Sequence, residues 1–131
     1  MKKKNILVIM ISILLIILIV LFLSTGRART DVFLRDFSVD EKSNVMNIKV
    51  GVSSSAGYVR KMKRTSGSMN YYYTFYSTFG INSKLCAKDT FEIQLDNNVD
   101  AIYFYTGYGG YKKVLTKDKI TGKWLKVTEI N

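Results

Sequence analysis

Two periodicities divide the chain. From Ile6 to Leu23 every residue but Ser12 is apolar, and no polar stripe recurs at helical spacing. These 18 residues, at about 1.5 Å rise each, cover roughly 27 Å, close to the hydrocarbon thickness of a bilayer. Beyond Arg29 the period becomes two. In Val45–Val52, Met46, Ile48, Val50 and Val52 share one face, with Asn47 and Lys49 opposite. Phe91, Ile93 and Leu95 alternate with Glu92 and Gln94 in the same way. Such alternation marks strands with one buried and one wet face. Further strands are predicted at Val32–Ser38, Tyr58–Arg64, Tyr71–Phe79, Ala101–Thr106, Tyr111–Leu115 and Trp124–Val127. Turn-forming residues separate them: Asp40–Asn44, Thr65–Ser68, Gly80–Ser83, Asp96–Asn98, Gly107–Gly110 and Thr121-Gly122. About eight short strands with no second helix predict an all-β domain, an antiparallel β-sandwich. The immunoglobulin-like version is preferred, with Tyr103 as a candidate corner tyrosine after the turn at Asp100; a small barrel is the alternative.

The flanks of the apolar run decide what it is for. Lys2, Lys3 and Lys4 precede it, and Ser24-Thr25-Gly26-Arg27-Ala28-Arg29 follows without a small-residue cleavage pattern. A removable signal peptide carries a shorter apolar stretch, about 7–15 residues, and no cysteine adjoins the run for lipid attachment. An uncleaved signal-anchor is expected: residues 1–26 as a single-pass transmembrane helix with a short cytoplasmic tail, 27–31 as a tether, and 32–131 as the β-domain. Three lysines before the span against Arg27 and Arg29 after it favour an inside N-terminus and an extracytoplasmic domain at the cell membrane.

Charge narrows the partners. Setting aside the three N-terminal lysines, 17 basic residues face 10 acidic ones, a surplus of +7. Such a surface prefers anionic neighbours such as lipid headgroups, wall polymers or acidic proteins. Nucleic acid is not expected outside the cell. Cys86 is the only cysteine, which excludes an intramolecular disulfide; a lone thiol in a strand-rich domain is expected as a small buried core residue.

Three segments carry a resemblance: Val50-Gly51-Val52-Ser53-Ser54-Ser55-Ala56-Gly57-Tyr58-Val59-Arg60, Phe75-Tyr76-Ser77-Thr78-Phe79-Gly80-Ile81-Asn82, and Ala87-Lys88-Asp89-Thr90-Phe91. With Trp124 near the end, the chain over residues 31–128 resembles a family of small membrane-anchored or lipid-modified extracytoplasmic β-domain proteins of low-GC Gram-positive bacteria. The resemblance implies compartment and fold. It supplies no activity, ligand or catalytic residue.

Catalytic chemistry finds little support. The chain has no histidine, so Ser-His or Cys-His activation and His-based zinc sites are excluded. Ser66-Gly67-Ser68-Met69 resembles the box of type I signal peptidases, in which Ser68 would be the nucleophile and Lys84 or Lys88 its base. That box continues into proline, and this chain has none, so a polar turn between strands explains it better. Asp96, Asn98 and Asp100 imitate the start of a calcium loop, but Ala101 and Gly107 stand where glycine and glutamate are needed. No cofactor or metal is expected, and no enzyme.

What remains is surface. On Tyr71–Phe79 the set with Phe75 and Phe79 is expected in the core, leaving Tyr72 and Tyr76 outward with Thr74 and Thr78. Tyr103, Tyr105, Tyr108 and Tyr111 add rings near the Gly107–Gly110 turn. Bordered by Lys112, Lys113 and the cluster Arg60, Lys61, Lys63 and Arg64, exposed tyrosines would stack on sugars and hold anionic groups. The duller explanation is that tyrosine suits both faces of a sheet and lysines protect its edges. Two functions follow: a binding module for anionic wall polymer or an envelope protein, or a structural or accessory subunit of a membrane complex that pairs through a bare edge strand. A Ser/Lys hydrolase is a third.

Overall fold

A computed structural model describes residues 2–24, 26–65, 67–80 and 83–128. Ser66 of the serine box, Ile81 and Asn82 of one predicted turn, and residues 129–131 lie outside the described residues. The apolar run is one helix, α1 (Lys2–Ser24), and its Lys2–Phe22 stretch is long and apolar enough to cross a membrane, with none of it buried against the rest of the chain. Its described apolar side chains are exposed all round the helix.

Nine strands follow among the described residues: β1 (Ala28–Arg29), β2 (Val32–Asp40), β3 (Val45–Val52), β4 (Val59–Arg64), β5 (Asn70–Ser77), β6 (Thr90–Gln94), β7 (Ala101–Gly107), β8 (Gly110–Lys117) and β9 (Trp124–Lys126). They form a β-sandwich of two sheets, and no barrel closes among the described residues. The first sheet runs β4-β5-β7-β8-β9, with β1 also on β5; the second is β2-β3-β6. Every predicted strand is present within a few residues. The tether differs: Ala28 and Arg29 pair with Tyr76 and Phe75, so the chain enters the sheet almost at once.

One ladder departs from the antiparallel expectation. β5 and β7 run parallel, Asn70 opposite Ala101 through Tyr73 opposite Phe104. The chain leaves the first sheet after β5, crosses the second as β6, and comes back in its original direction, so β7 can only lie parallel to β5. Together with β4, which runs antiparallel on the other side of β5, this sorts the loops. Residues 53–57, 78–80, 83–89 and 107–110 gather at the α1 end; 41–44, 67–69, 95–100 and 118–123 lie at the far end.

The inner faces hold Tyr71, Tyr73, Phe75, Ile102, Phe104 and Leu115 from the first sheet against Leu34, Met46, Ile48, Val50, Phe91 and Ile93 from the second. Each such side chain contributes roughly 1.5–3 kcal/mol by leaving water. Three expectations are corrected. Tyr103 is no corner residue; it faces outward, and Tyr71 makes the hydroxyl bond across the sandwich, to Asp96. Thr74 and Thr78 are buried, Thr74 between two rings of its own face and Thr78 with its hydroxyl donating to the Ser83 carbonyl. Cys86 is exposed, in a turn where its φ of +58° keeps it out of any strand.

Candidate functional site

Alternation along three adjacent strands puts tyrosines on the outer face of the larger sheet. Tyr72 on β5 lies opposite Tyr103 on β7, and their rings stack with centroids 4.8 Å apart at 21°. Tyr111 on β8 meets Tyr72 edge-on at 5.1 Å and Tyr105, its own cross-strand partner, at 5.5 Å. The Tyr111 hydroxyl also approaches Thr65 Oγ1 at 3.4 Å. Thr65 continues the β4 ladder, three strand spacings from β8, or about 14 Å on a flat sheet. Tyr111 therefore lies down across the face. All four rings are half-buried, by one another, with part of each left to solvent.

Lysines border this strip on both sides. Lys61 is opposite Tyr76 and Lys63 opposite Thr74, so both belong to the outer face at the β4 edge. Across the sheet Lys113 is opposite Tyr103, its ammonium 5.6 Å from the ring centroid. All three are exposed. Across the strands the row through Tyr72 runs Thr65, Tyr72, Tyr103, Lys113, with Lys63 the next outward residue along β4.

Of the residues singled out from the sequence, Tyr72, Tyr111 and Lys63 come together here, and the Lys61–Tyr76 pair lies further along the same face. The others go elsewhere. A register shift in β4 between Val59 and Lys61 turns Arg60 out of the alternation. Its Nε donates to the Ser77 carbonyl at 2.9 Å and its guanidinium lies over the half-buried Phe79, 4.5 Å from the centroid. Arg64 is opposite Tyr73, on the inner face, and caps Tyr71 at 4.4 Å. Lys112 is opposite Phe104, again an inner-face position, and lines a cleft with Val32, Leu34 and Val127. Tyr108 stands alone at the tip of the β7–β8 hairpin. Lys113, Tyr103 and Tyr105 gain importance instead, and the parallel ladder that brings Tyr103 onto Tyr72 has no signature in the sequence.

The serine box has a conformational explanation. Gly67 has φ +117°, and a Cβ there would collide with the Asn70 carbonyl, so the turn requires glycine. Ser68 lies at the far end of β5, whereas Lys84 and Lys88 follow its other end, with the length of the strand, roughly 23 Å, between them. Among the described residues no group of His, Cys, Asp or Glu could hold a metal ion. Comparison with protein-family models, curated proteins and solved structures found no match.

Proposed function

We propose that this chain is a membrane-anchored binding module, its N-terminus cytoplasmic and its sandwich extracytoplasmic, that holds an anionic wall polymer against the outer face of the larger sheet. One observation carries the reading: the tyrosine strip of Tyr72, Tyr103, Tyr105 and Tyr111 is bordered by Lys61 and Lys63 on one side and Lys113 on the other. Rings already packed on one another lose little side-chain entropy on binding and offer flat faces to sugar or polyol units. The lysines supply point charges for the anionic groups. The module acts without catalysis. The family resemblance supports the compartment, and the two facing sheets support the immunoglobulin-like version of the sandwich.

The accessory-subunit reading has less support, because each sheet edge is guarded. β4 carries Arg60, Lys61, Lys63 and Arg64; β9 has three residues and β6 five; β2, the long edge, is interrupted between Leu34 and Asp36. Basic, short or bulged edges resist pairing with another strand. The test is co-sedimentation of the chain with wall sacculi carrying or stripped of their anionic polymer. Binding confined to the polymer-bearing sacculi supports the module; equal binding to both, or to neither, overturns it.

A further inference from the structure

The end of the sandwich nearest α1 is built differently from the far end. From Ser24, the last residue of the helix, to Ala28, the first of β1, is at most about 14 Å of chain. Phe22 lies against Gly80, and Gly107 lies against Thr30, where a Cβ would sit 3.1 Å from Cγ2. The parallel β5–β7 ladder thus aims the β7–β8 hairpin in the direction from which α1 arrives.

Charge is divided between the two ends. The loops and β1 at the α1 end carry Arg27, Arg29, Lys84 and Lys88, and their acids, Asp31 and Asp89, lie 2.8 Å from Arg29 and 3.9 Å from Lys49. The far-end loops carry Asp96, Asp100 and Asp118, with Asp40 and Glu41, against Lys42, Lys119 and Lys123. Among the described residues of its loops, Leu85 and Tyr108 project from the α1 end. Leu85 is 57% exposed between Lys84 and Cys86, and Tyr108 is fully exposed. Tyr108 has φ +50° and Gly109 φ +73°, the two left-handed positions of a type I′ hairpin, where Asn, Asp and Gly are the favoured residues. A bulky ring kept at a strained turn position, touching nothing, has no folding rationale. Apolar exposure alone does not distinguish the ends, since Met69 and Ile120 are exposed at the far one. The basic charge and the short connection to α1 do.

Resting on the anchor reading, we infer that the α1 end of the sandwich docks on the surface of an anionic bilayer, with Tyr108 and Leu85 in the interfacial layer and Arg27, Lys84 and Lys88 at the headgroups. Tyrosine favours this layer because its ring and hydroxyl match the two sides of it, and each lysine or arginine beside an anionic leaflet adds attraction that salt screens. The docked domain stands on the membrane with its tyrosine strip upright and open to the side.

The test uses the full chain in vesicles of phosphatidylglycerol and phosphatidylcholine, with an environment-sensitive label on Cys86, the residue after Leu85. Nitroxide placed near the lipid headgroup should quench this label and its emission should be blue-shifted. The same label in Cys86→Ser/Ser43→Cys, at the far end, should show neither effect. Leu85→Ser/Tyr108→Ser, or vesicles without phosphatidylglycerol, should lose most of the quenching. A chain that fails to float with the vesicles brings down the anchor reading and this inference together. A chain that floats, with Cys86 no more quenched than position 43, overturns this inference alone.

Discussion

The Tyr71 hydroxyl joins the two sheets through Asp96. It donates to Asp96 Oδ2 at 2.5 Å and accepts the Asp96 backbone N–H at 3.3 Å, tying β5 to the turn that follows β6. A tyrosine whose ring is wholly inside a sandwich needs such a partner for its polar end. Tyr71→Phe keeps the ring and removes both bonds, one of them to a charged group. It should destabilise the fold by about 1.5–3 kcal/mol in urea titration. A loss near zero would mean that water replaces the hydroxyl without cost.

Arg29 grips Asp31 with a fork, Nε at 2.9 Å and Nη2 at 2.8 Å, and Nη2 reaches on to the Ala56 carbonyl. The arginine bond holds the Asp31 carboxyl below its ordinary value of 3.8, against the opposing effect of partial burial. Because the folded value is the lower one, the stabilisation is complete above the unfolded value and fades as pH falls through the folded one. Asp31→Asn should therefore cost stability near neutral pH, and the gap from wild type should be smaller at a pH well below 3.8. Parallel denaturation curves at the two pH values check this; a gap that does not change with pH would assign the effect to packing.

Burial pushes the Tyr73 hydroxyl up to about 12, from an ordinary 10.0. The unfolded chain ionises this group first. Stability that is complete below pH 10 should fall as pH rises toward 12, and the fall should be shallower in Tyr73→Phe. Phenolate absorbance followed alongside unfolding separates Tyr73 from the exposed tyrosines. If Tyr73→Phe has the same alkaline limb as wild type, other groups set it.

Tyr108 holds a left-handed backbone at a hairpin tip without making a contact in return. Tyr108→Asn, a residue that tolerates this conformation, should raise stability by about 1 kcal/mol, read as a higher melting temperature. A lower one would show that the ring packs in the folded domain.

The parts of the fold with one wet face were readable from the sequence. Met46, Ile48 and Val50 alternate with Asn47 and Lys49, as do Phe91 and Ile93 with Glu92, because burial on one side imposes period two. The tyrosine-rich strand was readable only in part, since Tyr72 and Tyr73 are the same residue on opposite faces and Thr74 is buried on the outer one. The β4 register shift that withdraws Arg60, and the passage through β6 that makes β7 parallel to β5, are decided by long-range pairing. No local pattern encodes them. Cys86 was misplaced because composition says what a cysteine prefers, and the turn decides where it goes.

The proposed module binds an anionic polymer along the strip between Lys61, Lys63 and Lys113. The most direct measurement is equilibrium binding of purified anionic wall polymer to the full chain in nanodiscs, for wild type, Tyr72→Ser and Lys61→Glu/Lys63→Glu/Lys113→Glu, at low and high salt. Saturable wild-type binding that weakens with salt, falls at least about tenfold in the lysine triple variant and falls also in Tyr72→Ser is the predicted result. Absence of wild-type binding at low salt, or equal binding by all three proteins, would contradict it.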